Sequence, residues 1–479
     1  MNISHLNIGI IHSLIGKNDG VSIVIDQSVL AMVKYLKIPL GNIYFLAAHS
    51  SPLYNAHIDE VFWHKSELHQ KIIRYFCEEP PESLEQEMLD GANHAKKAIR
   101  DFVKHNNIDL LIAHNISHPY NFVTAIGLNL YIEERRQKGY LNPRLITWWH
   151  DSFYERSKFS APSPLMQRYL RYLPGTSADG LVFINGDQVK LGKKYYHTYA
   201  KGRKYADFFK YHSAVIPNTC EINWAWKKQN WNSSALIFQP SDSYNHSFFH
   251  DIGLQEQLER KNFTLDDAAI LLQHTRVVPR KKIETAIDLA YALSGKFGQK
   301  KCVVLLVSGH SGDEQHQYKD FLIQYQQDKS AALPDANVIL LFGENRILSH
   351  RDIIVDHKYY KFSEIPAVAA AAGGIGTYFS DVEGYGNNLL EMMAAGLPVI
   401  LNRYEVYRKE IEPLGFDLPY IDQGVLSNEA VDAAFKVLTD RNARNQMVQR
   451  NLKVLNKKLN PQLMTRKIHT LVENIFFRK

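Results

Sequence analysis

The 479-residue sequence predicts an α/β protein made of two Rossmann-like halves. Short apolar runs alternate with segments of helical periodicity, which is typical of a doubly wound parallel sheet. A polar stretch at 223–262, rich in Trp, Asn, Gln, Ser and His, has little periodicity and divides this alternation in two. The chain length by itself allows about two to four domains.

The first half begins with an apolar run that ends in a loop of Gly, Asn and Asp. Apolar runs without alternating polar residues are typical of strands buried on both faces of a parallel sheet. We predict strands at 7–12, 42–47, 108–114, 145–149, 180–184 and 214–216. We predict helices between them at 21–36, 82–105 and 122–136.

The second half repeats the alternation without a fixed sequence period. We predict strands at 269–273, 302–308, 337–342, 376–379 and 398–401, and helices at 281–295, 320–329, 364–372 and 387–395. The predicted organisation is an N-terminal domain at 1–222, a connection with an insertion at 223–265 and a C-terminal domain at 266–460. A last helix at 463–477, within the segment 461–479, is expected to pack back on the first half.

Composition excludes several classes of protein. Hydrophobic residues make up 45% and charged residues 22%, the balance of a soluble globular protein rather than a disordered or collagen-like one. No uncharged apolar run reaches the roughly 18 residues of a membrane helix, and no secretory signal is expected at the N-terminus. Cys77, Cys220 and Cys302 are scattered and form neither a disulfide framework nor a zinc spacing, which favours a cytoplasmic protein.

The net charge of +6 is concentrated near the end of the chain. Residues 441–479 hold ten Lys or Arg against one Glu, a local charge of +9. A solvated helix face explains this excess, and so does a weak peripheral contact with an anionic membrane such as the inner face of the cell membrane. Nucleic acid is not expected as a partner, because aromatic residues do not alternate with the basic ones.

The segment 383–391, EGYGNNLLE, carries the strongest functional signal. Gly384 and Gly386 let the backbone approach a ligand and expose amide groups. A helix beginning near Asn387 directs the positive end of its dipole at the same place, which suits a phosphate. Glu383 and Glu391 lie two helical turns apart and bracket one ligand in this interpretation. The alternative is an ordinary strand–loop–helix with a surface glutamate.

This segment resembles the E-x7-E motif of family 4 glycosyltransferases, which are retaining enzymes of the GT-B fold. Tyr385 replaces the usual Phe and Met392 the usual Ala, and Gly396 and Pro398 follow as in the family. The resemblance implies two Rossmann-like domains facing each other across a cleft. It also implies that the N-terminal domain binds the acceptor and that the C-terminal domain binds a nucleotide sugar.

Three further segments match family motifs in the expected order. The run TRVVPRK, with Arg276 and Lys281, resembles the R-x4-K element, and such cations hold a diphosphate without a metal. His150, followed by Asp151 at a strand end, resembles the family's HD site. The run VIPN at 215–218 resembles the IPNG element, although Thr219 replaces the Gly. A solvated turn and a structural histidine are the alternatives for the first two.

Two weaker candidates lie in the first half. Asp19 and Gly20 stand where the family has a double-glycine loop near the donor diphosphate, and a plain turn is the alternative. Asn115, His118 and Asn121 follow another predicted strand and are candidates for the acceptor site, with a structural role as the alternative.

The resemblance implies a role for each matched residue. Glu391 holds the nucleotide ribose, and Glu383 with the loop that follows holds the donor sugar. Arg276, Lys281 and the helix N-terminus neutralise the leaving diphosphate, and His150 lies beside the sugar. His150 and Glu383 are thus the catalytic candidates. The remaining donor-binding candidates are Gly384, Tyr385, Gly386, Asn387, Asn388 and Leu389. No obligatory metal or other cofactor is expected, because no D-x-D motif is present.

Within the family, the runs at 19–22, 275–281, 308–313 and 402–407 are similar to a branch that includes mannosylglucosylglycerate synthases. The expected function is hexose transfer from a nucleotide diphosphate sugar, of the GDP-mannose or UDP-glucose type, to a hydroxyl acceptor such as glucosylglycerate. A glycosyltransferase of cell-envelope glycans or lipids at the membrane surface is the first alternative. A nucleotide-sugar epimerase and a non-catalytic nucleotide-sugar-binding protein are the others.

Overall fold

A computed structural model describes residues 3–17, 19–52, 54–200, 205–220, 240–309, 316–348 and 360–477. The chain divides into two compact units. Unit 1 comprises Met1–Asn218 together with Pro461–Lys479, and unit 2 comprises Thr219–Asn460. The boundary therefore falls four residues before the predicted end of the N-terminal domain at 222.

Unit 1 is built on a parallel sheet of seven strands in its described residues. The strands are β1 (Ile8–Ile11), β2 (Ile43–Ala47), β3 (Ala56–Ile58), β4 (Leu110–His114), β5 (Arg144–Trp148), β6 (Gly180–Phe183) and β7 (Ser213–Val215). Their order across the sheet is β3-β2-β1-β4-β5-β6-β7. A further short parallel pair joins Leu14–Ile15 to His49–Ser50.

The helices of unit 1 cover this sheet. They are α1 (Gly20–Lys34), α2 (Glu67–Arg74), α3 (Leu84–His105), α4 (Phe122–Gln137), α5 (Pro164–Tyr169), α6 (Gly186–Tyr199) and α7 (Tyr205–Tyr211). Helices α3 and α4 pack closely, since Gly127 brings its backbone against Ala92 and Ala95 with no room for a side chain. One apolar cluster joins these helices to the inner face of the sheet.

Unit 2 has a second parallel sheet, of six strands in its described part. They are β8 (Ala268–Gln273), β9 (Cys302–Val307), β10 (Val338–Phe342), β11 (Ile375–Tyr378), β12 (Val399–Asn402) and β13 (Tyr420–Ile421), in the order β10-β9-β8-β11-β12-β13. A short parallel pair joins Ile347–Leu348 to Tyr360–Lys361. Strand β9, with the sequence CVVLLV, is buried at every position, as an apolar run in a central parallel strand requires.

The helices of unit 2 are α8 (Asp242–Asp251), α9 (Leu254–Glu259), α10 (Ile283–Phe297), α11 (His316–Ala332), α12 (Ile365–Ala371), α13 (Asn387–Ala394), α14 (Asn428–Thr439) and α15 (Arg441–Lys458). The last helix, α16 (Pro461–Phe477), returns to unit 1, where it packs on α1 and β7. Lys467 and Asn474 of α16 donate hydrogen bonds to backbone carbonyls of Val215 and Tyr211. In the described residues, no helix is both long and apolar enough to cross a bilayer.

The polar stretch differs from the expectation of a separate connection at 223–265. Residues 223–239 of that segment lie outside the described residues, but α8 and α9 belong to unit 2. Phe248 and Phe249 of α8 are buried, and the Phe248 ring packs on Tyr360 at a centroid distance of 4.9 Å. Two aromatic side chains hold this short helix in place, while its many polar residues hide the helical period from sequence inspection.

Candidate functional site

The first group of candidate residues lies at one edge of the unit 2 sheet. Strands β8, β9 and β11 are parallel neighbours, so the loops that follow them meet at the carboxyl edge, where ligands of such sheets bind. His274 follows β8, Ser308 follows β9 and Glu383 follows β11. The structure therefore brings together segments separated by more than one hundred residues.

Glu383 is held by two cations from the loop after β8. Its carboxylate forms an ion pair with Lys281 Nζ and accepts a hydrogen bond from Arg280 Nη1 at 3.1 Å. The side chains of Lys281 and Glu383 are 6% and 10% exposed, so the pair is shielded from water. Arg280 Nη1 also donates to the carbonyl of Val382 at 2.8 Å, which fixes the backbone just before Glu383.

Burial and the ion pair act against each other on these two groups. Burial raises the pKa of Glu383, but the charges of Lys281 and Arg280 outweigh it and hold that pKa at about 2. Burial lowers the pKa of Lys281 to about 8, although Glu383 opposes this shift. Both groups are thus charged at neutral pH. Lys281 Nζ also lies over the ring of Tyr378, 5.2 Å from its centroid.

The loop before α13 approaches the side chains behind it closely. Gly386 has φ = 120°, and a Cβ atom there would lie 2.5 Å from the hydroxyl of Tyr404. The same hydroxyl donates to the carbonyl of Tyr385 at 2.7 Å, and the Tyr385 ring is buried. Glycine at 386 is therefore required both by the backbone angle and by space. Helix α13 begins directly after this turn, as predicted from the motif.

The other end of the motif, Glu391, lies beside a histidine that the sequence did not single out. Glu391 Oε2 is 3.6 Å from Nε2 of His274, and the Glu391 side chain is 18% exposed. His274 is fully buried, and its Nδ1 lies 2.9 Å from Ser308 Oγ. Burial lowers the pKa of His274 despite the nearby carboxylate. Its position at the end of β8 was the signal that sequence inspection missed.

The other predicted residues of this edge have different environments. Arg276 is exposed, and it is Arg280, not Arg276, that contacts Glu383. Asn388 Nδ2 donates to the carbonyl of His274 at 2.5 Å and so ties α13 to the loop after β8. Leu389 is completely buried, so its side chain belongs to the core. Gly384 and Asn387 lie on the loop and at the start of α13.

A second group lies at the carboxyl edge of the unit 1 sheet. His150 follows β5 and is buried, and its Nε2 is hydrogen-bonded to Nδ1 of His114 at 2.9 Å. The carbonyl of His114 in turn lies 3.3 Å from Nδ1 of His12, which follows β1. Burial, with a smaller contribution from His12, lowers the pKa of His150 to about 3. The imidazole is therefore neutral at physiological pH.

The acceptor candidates surround the residue after His150. The backbone amide of Asp151 donates to Asn115 Oδ1 at 3.0 Å, and Asn121 Nδ2 donates to the Asn115 carbonyl at 2.9 Å. His118 Nε2 lies 3.8 Å from the Asp151 carboxylate, and burial lowers the pKa of His118 to about 4. Asn115 has φ = 58°, a conformation that Asn tolerates better than most side chains. These contacts hold the loop after β4 against the loop after β5.

Asp19 has a structural role that the glycine-loop comparison did not predict. Its Oδ1 accepts hydrogen bonds from the amides of Val21 and Ser22, both at 3.0 Å, and caps the N-terminus of α1. Gly20 is the first residue of that helix. Asn18 of this loop and residues 310–313 of the run 308–313 lie outside the described residues.

Similarity to solved structures defines the class of fold. Across nearly its whole length the chain resembles Anabaena HepE, solved with UDP and glucose, with 13% identity and a TM-score of 0.56, covering 98% of this chain and 100% of that one. Sucrose-phosphate synthase from Thermosynechococcus elongatus is 14% identical with a TM-score of 0.58, and the similarity covers 99% of this chain and 100% of that one. A third similar structure is the catalytic domain of starch synthase IV from Arabidopsis thaliana, bound to ADP and acarbose. It is 14% identical with a TM-score of 0.58, and the similarity covers 98% of this chain and 99% of that one. The chain has the GT-B fold, which confirms the predicted fold class.

Similarity in sequence is more specific. The chain is 26% identical over 501 aligned residues to mannosylglucosylglycerate synthase from Petrotoga mobilis, covering 96% of this chain and all of that protein. It is 30% identical over 210 residues to the mannosylglucosylglycerate synthase from Thermotoga maritima, covering 39% of this chain and 44% of that protein. No family model matches the sequence. The resemblance to glycosyltransferases, predicted from the motifs, is thus confirmed along almost the whole chain.

Proposed function

We propose that the protein is a retaining glycosyltransferase that moves a hexose from a nucleotide diphosphate sugar to a hydroxyl acceptor. The observation that carries this proposal is the position of both ends of the E-x7-E segment. Glu383, paired with Lys281, and Glu391, beside His274, lie on the loop and helix at the carboxyl edge of the unit 2 sheet. A nucleotide sugar has a ribose, a diphosphate and a hexose to be held at such an edge.

The cations of this edge suit the leaving group. Departure of a nucleoside diphosphate leaves negative charge on its phosphates, and fixed positive charge there lowers the barrier. Arg276 is exposed and Arg280 is one-third exposed, so both reach solvent. Lys281 is buried against Glu383 and acts on both the carboxylate and the diphosphate in this proposal. Glu383 then accepts hydrogen bonds from hydroxyls of the donor sugar.

His150 acts as a neutral hydrogen-bonding group in the proposed reaction. Because its pKa is lowered to about 3, it has no proton to give as an imidazolium at neutral pH. One ring nitrogen is occupied by His114, and the resemblance assigns the other to a hydroxyl of the donor sugar. A hydrogen bond of this kind orients the hexose without adding positive charge. Asn115, His118 and Asn121 remain the proposed contacts of the acceptor.

The donor and acceptor are proposed from the sequence relatives. Both are mannosylglucosylglycerate synthases, a name that joins a mannosyl group to glucosylglycerate. We therefore assign GDP-mannose as the first donor to test, with UDP-glucose as the second, and glucosylglycerate as the acceptor.

A melting-temperature panel with UDP, GDP, ADP and their glucose and mannose conjugates tests the donor site. A ligand that binds the native state raises the melting temperature by mass action. We expect a rise with one nucleotide, lost in Glu391→Ala and Arg276→Ala and retained in Glu259→Ala, a matched change at an exposed position of α9. No rise with any nucleotide would overturn the proposed donor site.

Product analysis then tests the transferase reaction. The nucleotide that binds is supplied as its hexose conjugate with glucosylglycerate, and the product is examined by NMR. Retention predicts an α-linked product from an α-linked donor. Release of free hexose at an unchanged rate with and without acceptor would show hydrolysis instead, and binding without turnover would favour the non-catalytic alternative.

Catalysis without a metal is part of the same proposal. The buried Lys281 and the two arginines supply the positive charge that a divalent cation supplies in other transferases. We expect turnover to be unchanged by EDTA. A loss of more than tenfold that is restored by Mg²⁺ or Mn²⁺ would contradict this assignment.

A weak membrane contact is proposed separately from the chemistry, which we place in the cytoplasm. The basic residues of the C-terminal region divide between the units, since α15 belongs to unit 2 and α16 to unit 1. Lys453, Lys457 and Lys458 of α15 are exposed. We expect sedimentation with anionic vesicles at low ionic strength, weakened by salt. If equal amounts of protein sedimented with neutral and with anionic vesicles, the proposed membrane contact would be excluded. The cell-envelope alternative would then lose its support.

A further inference from the structure

A buried serine–histidine pair faces Glu391, the second glutamate of the E-x7-E segment. Ser308 Oγ lies 2.9 Å from Nδ1 of His274, and Nε2 of the same ring lies 3.6 Å from Glu391 Oε2. Ser308 follows β9, His274 follows β8 and Glu391 lies in α13, so the three side chains are brought together only by the fold of unit 2. None of them was given a role with the others by the motif comparison.

The His274 ring is fixed from several sides. It is fully buried and stacks on Phe362 with a centroid distance of 3.9 Å and an interplanar angle of 17°. The His274 carbonyl accepts a hydrogen bond from Asn388 on α13, the helix that carries Glu391. Within the described residues, Nε2 is a buried nitrogen with no hydrogen-bond partner, and it is directed at the carboxylate. Buried polar atoms in proteins nearly always form a hydrogen bond, so a partner for Nε2 is expected.

The proton positions follow from the neighbours. Because burial keeps the imidazole neutral at pH 7, one nitrogen carries a proton and the other accepts. Nε2 faces a carboxylate, which accepts only, so the proton belongs on Nε2 and Ser308 donates its hydroxyl proton to Nδ1. The arrangement does not form a nucleophilic triad, since Ser308 is fully buried and no substrate reaches it.

We propose that His274 is a positioning residue that donates a hydrogen bond from Nε2 to Glu391 and orients the carboxylate toward the two ribose hydroxyls of a nucleoside diphosphate. This inference rests on the proposed function, in which Glu391 holds the ribose. A rotation of the Glu391 side chain closes the 3.6 Å separation to a charge-assisted hydrogen bond. The remaining oxygen lone pairs then face the ligand in a fixed plane.

Calorimetric titration with two matched nucleotides tests this role. One is whichever of UDP, GDP or ADP binds the wild-type chain, and the other is its 2′,3′-dideoxy form, which lacks the hydroxyls. We expect His274→Leu to weaken binding of the first about tenfold, the usual effect of losing a hydrogen bond to a charged group. Binding of the dideoxy form is expected to stay as in the wild type.

Two further variants separate the hydrogen bond from packing. His274→Gln places an amide nitrogen near the position of Nε2 and is expected to restore most of the affinity. Ser308→Ala removes the partner of Nδ1 while leaving the ring in place, and we expect an intermediate loss. Both keep the size of the buried group closer to the wild type than His274→Leu, so they remain informative if that variant fails to fold.

The outcomes distinguish this inference from the proposed function. The positioning role would be overturned if Glu391→Ala reduced binding but the His274 variants weakened binding of both nucleotides equally. It would also be overturned if the His274 variants weakened binding of neither. An unchanged affinity in Glu391→Ala would instead remove the ribose contact from the proposed function. No binding of UDP, GDP or ADP would overturn both.

Discussion

Lys281 and Glu383 form an ion pair that is almost completely shielded from solvent, although 101 residues separate them in the sequence. Arg280 contributes a second contact to the same carboxylate. Burying two charges costs hydration energy, which this geometry offsets only because both partners are present. The pair thus fixes the loop after β8 against the loop after β11 at the candidate donor site.

Removal of one partner is expected to destabilise unit 2. Lys281→Met leaves the buried Glu383 with Arg280 alone, and we expect the free energy of unfolding to fall by about 3 kcal/mol. Urea unfolding followed by circular dichroism, to which the helices of unit 2 contribute, measures this. The double variant Lys281→Met/Glu383→Gln removes both charges and is expected to recover part of the loss. A double variant less stable than the single one would contradict the ion-pair explanation.

The two arginines of the loop after β8 are expected to differ. Arg276 is exposed, so Arg276→Ala is expected to change stability by about 0.5 kcal/mol or less while weakening nucleoside diphosphate binding. Arg280→Ala removes contacts to Glu383 and Val382 and is expected to lower both stability and turnover. Melting temperature measures stability, and kcat and KM for the donor measure turnover and the effect on the donor site. Equal losses of stability in Arg276→Ala and Arg280→Ala would contradict the different roles assigned to the two arginines.

The buried histidines of unit 1 predict acid sensitivity. The pKa of His150 is lowered to about 3, below that of an exposed histidine, so between these values the unfolded chain binds a proton that the folded chain does not. Stability is therefore fully present above pH 6.5 and falls as the pH decreases, by about 1.4 kcal/mol per pH unit for each such histidine. Urea unfolding at pH 7, 6 and 5 measures the slope.

A histidine replacement identifies the source of that slope. His150→Gln removes one titrating group and is expected to make the pH dependence of unfolding shallower. His197→Gln, at an exposed position of α6, serves as the matched control and is expected to leave the slope unchanged. An equal slope in the wild type and His150→Gln would assign the acid sensitivity to other groups.

Asp19 provides a test of a helix cap inside the loop that resembles a donor-binding element. Asp19→Ala removes the acceptor of two backbone amides and is expected to cost about 1 kcal/mol of stability and to reduce turnover. Asp19→Asn keeps a capping oxygen, so we expect both quantities to return toward wild-type values. Recovered stability without recovered turnover would show that the carboxylate charge itself is needed.

The central strands and the longer helices between several of them were predictable, because a strand buried on both faces is a continuous apolar run in the sequence. Strand β9 was predicted at 302–308 and lies at Cys302–Val307, and α4 was predicted at 122–136 and lies at Phe122–Gln137. Strands β3 and β13 were missed, since three-residue and two-residue edge strands carry too little pattern. Helix α8 was missed because its polar composition hides two buried aromatic residues, and no helix was predicted at α2, α5, α6, α7, α9, α14 or α15.

The candidate site was predictable only as separate motifs. Glu383 and His150 were found because each follows a buried strand and matches a family motif, and Glu391 was found because its spacing from Glu383 is typical of that family. Arg280 was not found, because nothing local distinguishes a second cation beside Lys281, and His274 was missed although it directly follows an apolar run. Their importance depends on Glu383 and Glu391, which lie about one hundred residues away in the chain.

The amino-acid sequence alone predicts the α/β class, the alternation of strands and helices and the residues that resemble those of a glycosyltransferase. Local periodicity and glycine placement depend on neighbours in the chain, and these can be read directly. The three-dimensional fold is needed to show that Lys281 neutralises Glu383, that His274 faces Glu391 and that Asp19 caps a helix. Charge pairing and burial are properties of distances through space, which sequence separation does not specify.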